Sequence, residues 1–211
     1  MTVRLHDYFR SSACYRVRIA LNLKRVKYET VAVNIVKGEQ QESHFAAKNP
    51  QQLVPMLEID GLELNQSLAI IDYLDATHRD PPLMPDDAAA RSKVLAMALV
   101  IACDIHPLNN LRVLRYLDDA LGVAQDRRDD WYRHWVAQGF AALEKMAAGS
   151  GAFLSGATPG VADICLVPQM YNARRLNLDL TDYPTLVRID AGACTLPAFR
   201  AAHPDAVTKT I

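Results

Sequence analysis

Two residue pairs in the first third of the chain, Ser11-Ser12 and Gln66-Ser67, have the types and neighbours that hold and activate a small anion. Ser11 and Ser12 follow an alternating apolar stretch (Val3, Leu5, Phe9) and precede apolar residues at helical spacing (Val17, Ala20, Leu21, Leu23), so they stand where a strand runs into a helix. Unpaired N–H groups in a first helical turn carry roughly half a positive charge, and a thiolate or carboxylate lodged there gains on the order of 1 kcal/mol. A serine hydroxyl adds one donated hydrogen bond. Capping of the helix by Ser11 or Ser12 is the plainer use of the same residues. Gln66-Ser67 sits at a second helix start, before Leu68, Ile71 and Leu74, where backbone N–H, hydroxyl and helix dipole form a receptor for a small carboxylate.

The whole chain sets limits on what that anion site serves. Its 211 residues, half of them hydrophobic, suffice for two modest domains. Lys and Arg number 23 against 24 Asp and Glu, so no global field draws nucleic acid or an anionic membrane, and an acidic ligand must be met by local arginines. The start, MTVRLHDYF, lacks the apolar run of a signal peptide, and no stretch reaches the roughly 20 apolar residues of a membrane span. A cytoplasmic protein is expected. Cys14, Cys103, Cys165 and Cys194 lack the short Cys/His pairs of a zinc site, so no metal is expected and reduced, mostly buried thiols are. Cys14 alone lies in the first turn of a helix, where a thiolate is favoured.

The elements that must position the pairs follow in order. After the first helix, residues 28–34 (YETVAVN) are rich in β-branched residues and predict a strand, broken at Lys37-Gly38. Residues 39–48 predict a short helix that stops at Asn49-Pro50. Residues 56–59, Asp60-Gly61 and residues 62–65 predict a hairpin, and Ser67 is expected to cap the next helix. The order β-α-β-α-β-β-α is the thioredoxin-like arrangement, with parallel strands from the crossovers and a mixed four-stranded sheet. In that layout Val54-Pro55, directly before the third strand, is expected to be cis and to turn the Val54 backbone outward to pair with an extended peptide. Residues 80–87 (DPPLMPDD) read as a linker. Beyond them the period is helical: one long helix over 88–121 bent at Pro107, others over 129–148 and 161–177, and shorter pieces near 186–192 and 196–202. The expected fold class is an α/β thioredoxin-like domain (residues 1–82) followed by an all-α helical bundle (88–211).

The stretches YFRSSACYRVRIALNLK (8–24), NPQQLVPMLEIDG (49–61), NQSLAIIDYLD (65–75), CDIHPLNNLRVL (103–114) and VADICLVPQMYNARR (161–175) together resemble the zeta-class cytosolic glutathione transferases over nearly the whole chain. The first stretch is the most specific; the VP and QS elements are common to most glutathione transferases. The resemblance implies glutathione as cofactor, with its γ-glutamyl carboxylate at Gln66 and Ser67, its cysteinyl backbone on Val54, its thiol toward Ser11 and Ser12, and a further contact from Gln40, with Gln41 as the alternative. His106 and Asn110 match positions that meet glutathione or substrate. Arg10, Arg112, Arg174 and Arg175 fall in segments that line the electrophile side, and paired guanidinium groups suit a dicarboxylate.

Zeta enzymes include isomerases of maleylacetoacetate and of maleylpyruvate. The implied chemistry is cis–trans isomerisation of a cis-diketoacid: thiolate addition makes the conjugated double bond temporarily single, rotation follows, and expulsion of sulfur restores the trans alkene. NLRVLR (110–115) favours maleylacetoacetate, of tyrosine and phenylalanine breakdown, because maleylpyruvate enzymes carry arginine at the place of Leu111. Maleylpyruvate isomerisation in gentisate degradation, general transferase activity on α-haloacids and a non-catalytic glutathione-fold binding protein are the alternatives. A homodimer is also implied. Two departures stand out. Ala13 occupies the position of the zeta cysteine, so Cys14, rotated by about 100° on the helix, is expected to be packing. Gly160 replaces the usual Ser or Thr three residues before Asp163, and Asp163 is expected to keep its capping bond and to be structural.

Overall fold

A computed structural model gives the structure of residues 2–207. Its contacts divide the chain into two units, one made of the residues up to Pro82 together with those from Thr195 onward, the other of Leu83–Cys194.

In the sheet unit, β1 (Arg4–Asp7), β2 (Glu29–Ala32), β3 (Met56–Ile59) and β4 (Leu62–Asn65) form a sheet of order β2-β1-β3-β4. β1 runs parallel to β2 and antiparallel to β3, and β3 and β4 form the expected hairpin with Asp60 and Gly61 at positive φ. β1 is central, so Leu5, His6 and Asp7 are all buried and the side chains do not alternate in and out. Helix α1 (Ser12–Leu23) packs against α3 (Ser67–Thr77), while Phe45 of α2 (Ser43–Lys48) joins Val33, Met56 and Val54 in an apolar cluster and meets the His6 ring edge-on at 5.7 Å. The helix expected over 39–48 is interrupted. Residues Glu39–Gln41 form one tight 3-10 turn after Gly38 at φ 84°, and Glu42 is extended before α2 begins. Ser67 is not the cap of α3: Gln66 holds that place at φ 66°, and Ser67 is the first helical residue.

The unit is closed by α9 (Pro197–Ala202), which packs on α1, and by α10 (Pro204–Val207) beside it. Arg18 Nε donates to the Ala202 carbonyl at 3.0 Å and Asn22 Nδ2 to that of Ala198 at 2.9 Å. The helical domain expected over 88–211 therefore differs from the observed division, which gives its last described helices to the sheet; residues 208–211 lie outside the described residues.

The helical unit contains α4 (Ala88–Leu99), α5 (Leu111–Asp119), α6 (Gln125–Met146), α7 (Val161–Arg175) and α8 (Pro184–Cys194), with α7 almost entirely buried. The single helix expected over 88–121 is in fact two. α4 widens into a π-helical stretch over Val100–Ile105, a turn follows at 106–110, and α5 restarts where Asn110 Oδ1 accepts the Arg112 N–H at 3.1 Å. Pro107 brings no N–H to continue the ladder, and an asparagine three residues later offers a new cap. Gly139 of α6 makes room for the widened turn, since a Cβ there would collide with the Ile105 side chain. Glu144 accepts the Thr185 and Leu186 N–H groups at 2.9 and 3.0 Å and so caps α8 from α6. Among the described residues no helix is long and apolar enough to cross a membrane.

Candidate functional site

The sheet unit gathers most of the sequence-predicted residues at its helix starts and at the entrance to β3. Tyr8–Ser11 form a tight turn, Ser11 N–H donating to the Tyr8 carbonyl at 2.8 Å, because β1 must reverse into α1. Ser11 is the N-cap, its Oγ accepting the Cys14 N–H at 3.3 Å, and Ser12 is the first helical residue and buried. Arg10 projects from the same turn, exposed, its guanidinium 5.0 Å above the Phe9 ring. No carboxylate pairs with it among the described residues.

Val54-Pro55 is cis, as expected, and no hydrogen bond among the described residues engages the Val54 backbone. The loop before it is held by buried Asn49, whose Nδ2 donates to the Leu53 carbonyl at 2.7 Å and whose Oδ1 accepts the Gln51 N–H at 3.1 Å. Gln66, in a backbone region that glutamine seldom adopts, donates from Nε2 to Gln51 Oε1 at 2.9 Å. Ser67 Oγ accepts from Nη1 of the buried Arg16 at 3.3 Å. Of the two glutamines left open by the sequence, Gln40 is buried with Oε1 unpartnered, whereas Gln41 is exposed.

Cys14 is wholly buried, and burial, followed by the carboxylate of Asp7, pushes its thiol far above the ordinary range. The first turn of α1 thus presents hydroxyls and N–H groups to a ligand while its only cysteine stays protonated. Cys165 is buried too and Cys194 half-buried, whereas Cys103, on the π-helical stretch, is the exposed exception to the mostly buried thiols expected. No group of side chains among the described residues could hold a metal ion.

The helical unit carries the remaining candidates. His106 and Asn110 bracket the turn between α4 and α5, which α6 clamps through Trp131 Nε1 on the Leu108 carbonyl (2.9 Å) and the Tyr132 carbonyl on Asn109 Nδ2 (3.3 Å). Asn110 caps α5 and Arg112 is exposed on it. Arg174 and Arg175 end α7, but they differ: Arg174 Nη2 is held by the buried Asp190 of α8 at 2.6 Å, and Arg175 is exposed and has no ion pair among the described residues. Arg174 thereby joins two helices, whereas Arg175 does not. Asp163 is structural, as the sequence implied. Its carboxylate accepts the N–H groups of Leu154 (2.7 Å), Ser155 (3.1 Å) and Gly160 (3.0 Å), and burial raises its pKa against those bonds. Glycine at 160 has a packing cause: a Cβ would strike the Leu83 carbonyl and come 2.7 Å from Ser155.

A sheet of order β2-β1-β3-β4 with a cis-proline strand entrance and ligand-ready helix starts defines a thioredoxin-like domain of the glutathione transferase type, and residues 1–76 match the family "Glutathione S-transferase, N-terminal domain". Across 209 residues the chain is 51% identical to a probable maleylacetoacetate isomerase of Vibrio cholerae, covering 97% of each. A holo structure of a maleyl pyruvate isomerase, described as a bacterial zeta-class glutathione S-transferase, superposes with a TM-score of 0.94 at 44% identity over 96% of this chain and 97% of that one. The structure of a maleylacetoacetate isomerase from Anaeromyxobacter dehalogenans with glutathione bound in its active site gives 0.87 at 42% identity, over 97% and 96%. This chain belongs to the zeta-class glutathione transferases.

Proposed function

We propose that the protein is a glutathione-dependent cis–trans isomerase of maleylacetoacetate, acting in tyrosine and phenylalanine breakdown. The observation that carries this reading is the turn Tyr8–Ser11, which sets an exposed, unpaired Arg10 guanidinium directly before the hydroxyls and N–H groups of the α1 start. One turn thereby offers a place for a thiolate and, beside it, a place for a carboxylate.

The residues present fit glutathione. Three features have no partner among the described residues: the Val54 backbone, Gln40 Oε1 and the first N–H groups of α3. They correspond to an extended peptide, an amide and a carboxylate. In this reading Gln66, Ser67 and the first N–H groups of α3 hold the γ-glutamyl carboxylate, Val54 pairs with the cysteinyl backbone, and Gln40 reaches the tripeptide. Bound glutathione supplies a thiolate that adds to the conjugated double bond and leaves after rotation, so the tripeptide is regenerated. Ser11 and Ser12 keep that sulfur ionised by hydrogen bonding and by the positive end of α1. Arg10 fixes one carboxylate of the acid and draws off negative charge as it develops. In the helical unit the resemblance assigns Arg112 and Arg175 to the electrophile, and His106 and Asn110 to glutathione or substrate. A cytoplasmic homodimer belongs to the same reading.

Maleylpyruvate is the competing substrate, and Leu111 is the residue that argues against it. The test is kcat/KM for synthetic maleylacetoacetate and maleylpyruvate at saturating glutathione. A ratio in favour of maleylacetoacetate is expected; the reverse ratio assigns the protein to gentisate breakdown, and no turnover of either removes the isomerase reading.

A further inference from the structure

Arg16 is 1% exposed, yet two of its three guanidinium nitrogens are buried without a hydrogen-bond partner. It lies on the α3 side of α1, and its Nη1 reaches Ser67 Oγ at 3.3 Å, while Nε and Nη2 are buried without any hydrogen-bond partner. Among the described residues no carboxylate pairs with it. Ser67 begins an 11-residue helix, so this guanidinium sits at the end where the helix dipole is already positive. A buried cation with unmet donors, placed against a second positive end, is costly for a chain to keep. Two residues along, Arg18 shows what the same side chain does when its role is internal: it binds Asp7, the Phe9 carbonyl and the Ala202 carbonyl.

We propose that Arg16 is a positioning residue for an anionic ligand at the α3 start, acting through Ser67. By donating to Ser67 Oγ it occupies a lone pair of that hydroxyl and leaves the hydroxyl hydrogen to be donated outward. Its charge makes that donation a stronger one and favours an ionised acceptor. The class of ligand is a carboxylate on a small polar molecule, since the Ser67 hydroxyl and the open N–H groups of the first turn of α3 are all donors at one helix start. The inference rests on the reading that glutathione binds here, and under that reading the anion is the carboxylate of its γ-glutamyl residue.

The test compares two ligands by calorimetry: glutathione, and γ-aminobutyryl-cysteinyl-glycine, which lacks only that carboxylate. The wild-type protein is expected to prefer glutathione. In Arg16→Gln, glutathione affinity is expected to fall about 10- to 100-fold, the range for losing a hydrogen bond to a charged group, while the affinity for the analogue stays within about twofold. Arg16→Lys, which keeps the charge, should retain part of the preference. A wild type that does not distinguish the ligands would overturn the placement of glutathione itself. A wild type that does distinguish them, with Arg16→Gln keeping the full preference, would overturn the role of Arg16 alone. Should neither variant fold, the Arg16 Nε–H resonance of the wild-type protein decides: it is expected to shift with glutathione and not with the analogue, and an equal response to both contradicts the proposal.

Discussion

Arg18 and Arg16 stand two positions apart on α1, point to opposite sides of the helix, and are both buried, but they have different environments. Around Arg18 every carbonyl and carboxylate is supplied by the chain, from β1, from the turn after it and from α9, so the charge is a knot that ties the C-terminal helices to the sheet. Around Arg16 and the α3 start the chain leaves donors unmet. The same contrast recurs between Asp163, whose carboxylate is filled by three backbone N–H groups, and Gln40, whose oxygen is filled by none. A satisfied buried polar group should reveal itself through stability, and an orphaned one through ligand binding.

The largest expected effect breaks the satisfied side. Arg18→Met strands the Asp7 carboxylate in the core and removes the links to α9, and should lower unfolding free energy by about 3–5 kcal/mol in a denaturant titration. Glutathione affinity of the molecules that remain folded should change little. If stability holds while affinity collapses, Arg18 belongs to the ligand and the comparison fails.

The open side is probed at the α1 start. Ser11→Ala/Ser12→Ala should lower kcat/KM by about 10²-fold or more, as the loss of a good donor to developing negative charge does, and should raise the pKa of the bound glutathione thiol. Loss of the Ser11 cap should cost only about 1 kcal/mol of stability. An unaltered thiol pKa together with near-normal turnover would show that the hydroxyls merely cap.

Gly160→Ser, which restores a capping hydroxyl, gives a smaller effect of unexpected sign. The added Cβ meets the Leu83 carbonyl and Ser155, so thermal and denaturant melts should show a loss of about 1–3 kcal/mol in place of a gain from the restored hydroxyl. A stabilised variant would mean that the Asp163 loop yields easily and is less fixed than its three hydrogen bonds suggest.

The smallest effect concerns a satisfied pair near the surface. Hydrogen bonds from Lys48 and then His6 hold Glu58 below the ordinary carboxylate range. Because the folded pKa lies under the unfolded one, the contribution is present above the ordinary carboxylate value and is lost as pH falls through the depressed one. Lys48 is half-exposed and solvent screens it, so Glu58→Gln should cost less than about 1 kcal/mol at neutral pH, with the gap to wild type closing on acidification. A gap that widens toward low pH would contradict the sign.

Local spacing carried the hairpin residue for residue, the start of α1 at the Ser11-Ser12 pair and the proline before β3, because turn, cap and proline chemistry act within a few residues. It could not show that Glu42 stays extended or that the helix after Ala88 stops at Pro107, where two periodic segments of similar hydropathy join. Nor could it show that α9 returns to the sheet, since the bond from Arg18 to Ala202 spans most of the chain. The arginines the sequence singled out were those beside recognisable motifs. Arg16 and Arg18 went unnoticed because a charged residue inside an amphipathic helix reads as surface, and only the packing of α3 and α9 reveals that both faces of α1 are covered.

The central claim, that glutathione serves as a recycled cofactor for isomerisation, is tested most directly by following maleylacetoacetate by NMR with glutathione at a small fraction of the substrate. Complete conversion to the trans isomer is expected, with the glutathione recovered unchanged and no conversion in its absence. Conversion that stops when the glutathione is consumed as a conjugate, or that proceeds equally well without it, would contradict the claim.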